Sequence, residues 1–418
     1  MHLSQTSSIL IWVISIASIL CMLIRPRRIA EAYWVGAGAL LLVVTRLIPL
    51  DQAGHAVYEG LDVYLFLTGM MILAELAREE HVFEWIANAA ADHAKRSPQR
   101  LFVLVYLVGT VVTALLSNDA TAVVLTPAVL AVVRRADVAP KPYLLACALI
   151  ANAASFVFPI SNPANLVVFG QHMPHLLDWL RVFILPSIAS VLLTFFCLRW
   201  ISRRELQGEF HGELKPVPLS IEGKLALAGL ILAGAALITS SALGLSLGAP
   251  TCGAALVAVA IVAWRDHAVP LRAAKGVSWS ILPLVVGLFV IVEALRATGL
   301  LHLALTGLQD LAQYSMWMGK FVAAFVVALL SNGMNNLPVG LMAGTAIRHN
   351  HEAGIIANAI LMGVDLGPNL SVTGSLATIL WLIALRRENV EITAWDFLKV
   401  GAVAMPIALA GSLLLLWR

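Results

Sequence analysis

An all-α, polytopic membrane fold follows from three features of this sequence. Of its 418 residues, 60% are hydrophobic and 12% charged, with a mean hydropathy of +0.89; a soluble domain carries about a quarter charged residues. The apolar residues come in long runs separated by short basic or Gly/Pro-rich links, the pattern of membrane-spanning helices. Two of these runs are broken near their middle by polar stretches, Leu116-Ser117-Asn118-Asp119-Ala120-Thr121 and Leu330-Ser331-Asn332-Gly333-Met334-Asn335-Asn336. Irregular backbone inside a bilayer is tolerated where it is buried in protein or lines a cavity, and in transporters such breaks mark a binding site.

Taken in order, about ten spans are expected, near 8–24, 31–48, 60–77, 142–171, 178–200, 224–243, 249–265, 278–297, 353–385 and 396–417. The first run, Ile9 to Ile24, precedes its positive charges at Arg25, Arg27 and Arg28. A signal peptide has its charges first, so this run reads as a retained span with its N-terminus outside. With the later spans alternating, 21 Lys and Arg fall on the inner side and six (Arg46, Arg181, Arg296, Lys320, Arg348 and Arg418) on the outer. This asymmetry satisfies the positive-inside rule and puts the C-terminus outside too, in a multi-pass protein of the plasma (inner) membrane.

The unit 101–133 decides the architecture. As one helix from Arg100 to Arg134 it would be roughly 50 Å long at 1.5 Å per residue, beyond the hydrocarbon core. Both ends are basic, so both lie inside. Two full spans and a re-entrant helical hairpin both satisfy that parity. Length favours the hairpin, because its second arm, Ala120 to Val133, has only 14 residues against about 17–25 for a span. The same reading applies to 316–346.

The layout recurs. Gly69, Glu75 and Arg78 precede Ser117; Gly287, Glu293 and Arg296, at the same spacing, precede Ser331. Each hairpin is followed by a second broken segment. The first, within 142–171, holds Phe158-Pro159-Ile160-Ser161-Asn162-Pro163-Ala164-Asn165. The second, within 353–385, holds Asp365-Leu366-Gly367-Pro368-Asn369 and then Ser371, Thr373, Gly374 and Ser375. The paired elements run in opposite directions by the charge count. The expectation is an inverted-topology repeat, 1–205 and 222–418, with broken helices at the midplane. The intervening 206–221 reads as a cytoplasmic linker with Pro216 and Pro218. Amphipathic segments at 80–95 and 299–312 read as interfacial helices or as ordinary surface connectors.

Four polar clusters are therefore expected to meet at mid-membrane. The candidate substrate-binding residues are Ser117, Asn118, Asn162, Asn165, Ser331, Asn332, Asn335, Asn336, Thr373 and Ser375. Half-helices beginning after Asp119, Asn165 and Asn336 would aim free N–H groups at the site. Amides, hydroxyls and backbone groups suit a neutral, hydroxyl-rich solute; a dicarboxylate calls for Arg or Lys, and none lies in these clusters. Ser and Asn at helix breaks also cap their own helices, and Gly367-Pro368 and Pro159 read as architectural. Asp119 is the candidate proton carrier, because an ionisable group within a membrane segment is a functional candidate. Asp365 either shares that role or caps its half-helix. Glu75–Arg78 and Glu293–Arg296, spaced i,i+3, read as structural pairs.

Other functions are excluded. Cys21, Cys147, Cys197 and Cys252 are scattered without metal-ligand or disulfide spacing, so no metal or other cofactor is expected. No basic stripe suggests nucleic acid. The chain has neither HExxH nor GxSxG, which argues against an intramembrane enzyme, and no Walker-type loop for ATP.

The runs Ser117-Asn118-Asp119 with Leu125-Thr126-Pro127, Ser331 to Pro338, Asp365 to Asn369 and Thr373 to Leu382 together resemble the arsenite efflux permeases, the arsenical pump membrane proteins of the wider ion transporter superfamily. The resemblance covers nearly the whole chain. It implies export of trivalent arsenite and antimonite as neutral hydroxides, coupled to proton influx. It also implies two re-entrant hairpins in a moving transport domain beside a scaffold. Some relatives work with a soluble cytoplasmic ATPase subunit, so the resemblance admits that partner. Three converging cysteines are absent, which favours recognition of the hydroxide form over thiol trapping. The competing reading is a sodium/proton antiporter of the same superfamily, with Asp119 and Asp365 binding sodium.

Overall fold

The structure, a computed structural model, describes residues 4–170, 173–208, 218–300, 306, 315–348 and 354–417. All regular structure among the described residues is helical. In order these are α1 (Gln5–Ile24), α2 (Glu31–Val44), α3 (Leu50–Glu59), α4 (Leu61–Glu79), α5 (Val82–His93), α6 (Pro98–Leu115), a π-helical turn (Ala120–Leu125), α7 (Thr126–Arg135), α8 (Lys141–Ala153), α9 (Pro163–Phe169) and α10 (Leu176–Ile201). The second half continues with α11 (Ile221–Ala242), α12 (Gly248–Ala263), α13 (Val269–Gly276), α14 (Ile281–Ala297), α15 (Met316–Met334), α16 (Asn336–Arg348), α17 (Gly354–Leu366), α18 (Leu376–Arg387) and α19 (Ala394–Leu414). Local chemistry sets many starts. The side-chain oxygens of Ser97, Ser220, Ser315 and Ser375 accept first-turn N–H groups of α6, α11, α15 and α18, and Thr393 and Asp396 form a capping box on α19, as such residues do at helix N-termini.

The protein is an all-helical, multi-pass membrane protein. Six described helices are long and apolar enough to cross a membrane alone, and two bent pairs raise the number to eight. The ten spans expected differ from this for a physical reason. Apolar α2 and α12 have only 14 and 16 residues, below the usual span length, and each broken segment consists of two short helices. Sequence reading also missed α3 and α13. These short amphipathic helices each lead into a longer one, α4 or α14, at a 44° bend.

Packing repeats itself between the two halves. α1 lies on α2 as α11 lies on α12, and α6 on α8 as α15 on α17; α4 packs on α12 while α14 packs on α2, and α3 meets α14 as α13 meets α4. The recurring glycines explain the exchanged pair. A Cβ on Gly69 would lie 2.6 Å from the Thr251 carbonyl carbon, and one on Gly287 would lie 2.9 Å from Val35 Cγ1; both contacts are too close for any larger residue. Two groups of helices result, α1–α4 with α11–α14, and α6–α10 with α15–α19. α5 bridges them through contacts with α4, α6, α7 and α11.

Ion pairs join residues assigned by charge to one face: Arg134–Glu388 at 3.0 Å, Lys141–Asp396 at 2.8 Å and Arg272–Glu79 at 3.3 Å. Lys320, counted as outer, is 2% exposed. Its Nζ donates to the Leu416 carbonyl at 2.6 Å and sits 3.5 Å from the Trp317 ring centroid. Segment 80–95 contains the helix α5; most of 299–312 and of the linker 206–221 lies outside the described residues.

Candidate transport site

The first hairpin consists of α6 and the returning arm 120–135. Thr113 and Thr121 hydroxyls meet across it at 2.8 Å. Its tip is short, with Ser117 Oγ accepting the Ala120 N–H at 3.2 Å. Pro127 lies one residue into α7 and has no N–H to give to an i−4 carbonyl; the turn ahead of it widens to π geometry, and Thr126 Oγ1 donates to Thr121 O at 3.2 Å. Asn118 is 3% exposed, and its Oδ1 has no hydrogen-bond donor among the described residues.

The second hairpin breaks at the late end of its polar stretch, 330–336. Ser331 and Asn332 are not the tip. Ser331 Oγ donates to Val327 O at 2.9 Å and Asn332 Nδ2 to Ala328 O at 2.7 Å, so both are satisfied inside α15. The break falls at Asn335, with φ 75° and ψ 149°. Asn335 Oδ1 accepts the Leu337 N–H at 3.2 Å and so caps α16, where Asn336 is buried at the first position.

Each hairpin is tied to the broken segment of its own half. Ser161 Oγ donates to Ala114 O at 2.9 Å. In the second half, Asn332 Nδ2 reaches Gly367 O at 2.8 Å, Ser371 Oγ donates to Asn332 Oδ1 at 2.7 Å, and Thr373 Oγ1 donates to Asn332 O at 2.9 Å. Asn332 therefore has both polar side-chain atoms occupied by its own half. Thr373 is exposed, and Ser375 is buried as the cap of α18.

The broken segments are then tied across halves. Asn162 Nδ2 donates to Asp365 Oδ1 at 2.7 Å, and Asn152 Nδ2 donates to Asn369 Oδ1 at 3.0 Å. Each bond pairs a polar residue in the last turn of one half's helix with an asparagine in the other half's break. The first corrects two expectations. The half-helix α9 starts at Pro163, capped by Asn162 Oδ1 on the Ala164 N–H at 3.0 Å, and not after Asn165. Asn165 lies in its first turn and donates to Ser155 O at 2.9 Å. Asp365, in the last turn of α17, caps no helix. Four buried acceptor oxygens here lack a donor among the described residues: Asn118 Oδ1, Asn152 Oδ1, Asn165 Oδ1 and Asp365 Oδ2.

A cavity of about 660 Å³ reaches the first hairpin. It is lined by Ser117, Asp119 and Pro163, by apolar residues of α4 and α18, and by Glu75, Arg78, Glu84, Arg387 and Glu388. Arg78 holds Glu75 bidentately, at 2.9 and 2.5 Å. A second cavity of about 400 Å³, lined by Glu59, Asp62, Leu166, Gly170 and Ser241 among others, reaches neither hairpin tip. Sequence reasoning placed Asn369 and Ser371 in the second broken segment without counting them among the binding candidates, and gave Asn152 no role. Asn152 carried a usable signal, being an amide set in an otherwise apolar helical run. Glu75 and Arg78 were read only as a structural pair, yet they line the cavity.

The chain is similar along nearly its whole length to known membrane proteins. It is 26% identical over 406 residues to an arsenical pump membrane protein of Escherichia coli, covering 93% of this chain and 94% of that one. The corresponding protein of Yersinia enterocolitica is 27% identical, with 91% of each chain covered. An uncharacterized transporter of Mycobacterium tuberculosis is 26% identical, with 95% of each covered. In fold the chain resembles the crystal structure of the Alcanivorax borkumensis YdaH transporter, with a TM-score of 0.59 over 88% of this chain and 89% of that one at 16% identity. The family model described as Citrate transporter, CitMHS, matches residues 11–367, and the chain belongs to that family of membrane transporters.

Proposed function

We propose that this transporter exports trivalent arsenite and antimonite as neutral hydroxides in exchange for protons, and so confers resistance to these metalloids. The observation that carries the reading is the first hairpin tip, where cavity-lining Ser117 and Asp119 flank Asn118, whose buried Oδ1 is one of four acceptor oxygens on the tip and the broken segments that lack a donor among the described residues. Buried acceptors left unpaired are costly. A trihydroxide supplies three O–H donors and no charge, so it satisfies acceptors without an arginine or lysine. A polycarboxylate such as citrate is a poor match, because four acidic side chains and two basic ones line the cavity and one of those arginines is held by Glu75. Asp119, which lines the cavity, is the proposed proton carrier. The two halves, 1–205 and 222–418, act as an inverted repeat, with the Arg78–Arg387 face cytoplasmic and both termini outside.

The acceptor oxygens and Asp365 also favour one second reading, a sodium/proton antiporter, since the same oxygens suit a hard cation. Reconstituted protein in liposomes with a pH-sensitive dye separates the cases. Arsenite or antimonite gradients are expected to drive proton counterflow, with no response to sodium or citrate. Proton movement driven by sodium alone would establish the second reading, and movement driven by citrate alone would discard both.

A further inference from the structure

Two arginines, Arg78 and Arg387, line the 660 Å³ cavity. Arginines that share a cavity are the usual means of holding carboxylates and phosphates, which meet two parallel N–H groups of the guanidinium. Arg78 is already occupied in that way. Glu75, one turn earlier on α4, accepts its Nε and Nη2 protons at 2.9 and 2.5 Å, and Glu79 accepts from Nη2 at 2.6 Å. The Glu75 side chain thus fills the place that a bound anion would take.

Two observations set this pair apart from an ordinary bridge on a helix surface. Glu75 is 8% exposed, and its carboxylate rests against the backbone of Gly276, the last residue of α13. A Cβ at Gly276 would lie 1.5 Å from Glu75 Oε1 and 2.1 Å from its Cδ, so only glycine leaves room for the carboxylate in this position. Glu79 is held differently, its Oε2 lying 3.3 Å from Arg272 Nε on a neighbouring helix. The mirrored pair Glu293–Arg296 has the same spacing but lines neither this cavity nor the 400 Å³ one. Both halves share the motif, and the first half alone brings it to the large cavity.

We propose that Glu75 is a specificity-determining residue, a tethered anion that occupies Arg78 and keeps free oxyanions, phosphates and carboxylates alike, from binding in the cavity. A carboxylate on the same helix competes at a high effective concentration. A free anion must displace it and then meet the acidic side chains of Glu84 and Glu388, which also line the cavity. A neutral trihydroxide has no charge to be repelled and does not compete for the guanidinium. The proposal rests on the reading that the transported solute is uncharged, and it supplies the means by which abundant cellular anions are refused.

The test uses the purified full-length protein in detergent, with radiolabelled inorganic phosphate as the probe. The unaltered chain is compared with Glu75→Gln, with Gly276→Ala, and with Glu75→Gln combined with Arg78→Gln. Gln at 75 keeps the shape and removes the charge. Ala at 276 keeps Glu75 in the chain but drives its carboxylate off Arg78. Each single variant is expected to bind phosphate roughly tenfold to a hundredfold more tightly than the unaltered chain, as for one gained contact to a charged group. The added Arg78→Gln is expected to abolish the gain, which a purely structural role for Glu75 would not produce at all. A folded Glu75→Gln chain with no gain, or a gain that survives Arg78→Gln, would overturn the proposal; Gly276→Ala takes the place of Glu75→Gln in this comparison if that chain does not fold. No metalloid is present, so this result is read separately from antimonite-driven proton flux. Loss of that flux in the unaltered chain strikes the metalloid reading, whereas an absent phosphate gain strikes only the role of Glu75.

Discussion

Asn162 serves two elements with one side chain. Its Oδ1 caps α9 and its Nδ2 donates to Asp365 Oδ1 at 2.7 Å, 203 residues further along the chain. The position of the half-helix and the contact between the two halves are therefore set together. Both residues are fully enclosed, with Asp365 at 0% and Asn162 at 1% exposure.

Replacing Asn162 with Ala should cost about 1–3 kcal/mol, because a buried acceptor loses its donor and a helix loses its cap. Asp365→Ala should carry a similar cost, and the double substitution should cost less than the sum by about 0.5–3 kcal/mol. Thermal unfolding of the four proteins in detergent gives the cycle. Strict additivity would show that the bond contributes nothing.

Asp119 leads to a separate prediction about transport. Asp119→Asn keeps the shape of the cavity lining but removes the titrating group. Transport driven by a pH gradient in everted vesicles should fall by roughly tenfold or more, equivalent to about 1.4 kcal/mol, while the unfolding temperature stays close to that of the unaltered chain. Full pH-driven transport in the variant would remove Asp119 from the proton path.

Two glycines should respond in opposite directions. A Cβ on Gly363 would lie 2.3 Å from the Ala324 carbonyl oxygen, where α17 crosses α15, whereas one on Gly333 meets nothing within 4 Å. Gly363→Ala should destabilise by about 1–3 kcal/mol through forced backbone separation. Gly333→Ala, inside α15, should stabilise by about 0.5–1 kcal/mol through helix propensity. Paired melts in the same detergent check both signs.

Asn335 occupies a backbone region that glycine tolerates best, φ 75° with ψ 149°, at a cost of about 1–3 kcal/mol for other residues. Asn335→Gly should leave stability within about 1 kcal/mol, relief of strain offsetting the lost cap on Leu337. Asn335→Val should lower expression and melting temperature sharply. Equal behaviour of the two variants would mean that the hairpin breaks elsewhere.

These sites also separate what the sequence carries from what it does not. The order of the apolar helices and the polar breaks after α6 and α15 are legible, because hydropathy acts locally. The second break lies within the polar stretch 330–336 read from the sequence, at its late end, Asn335. In the folded chain Ser331 and Asn332 donate to carbonyls one turn back and the helix runs on to Met334. Helices α3 and α13 escaped notice because their 10 and 8 residues carry charges and fall short of any span. Asn152–Asn369 was illegible, since nothing near either residue names a partner 217 positions away.

That separation matters while the protein is being made. Asn152 and Asn162 emerge from the ribosome and enter the lipid long before Asn369 and Asp365 are synthesised. Until translation has advanced some 200 residues further, the nascent first half holds amides that its own sequence does not satisfy. The two ends of each bond are thus completed only together, and a chain truncated before residue 365 lacks both partners that these amides have in the full-length fold.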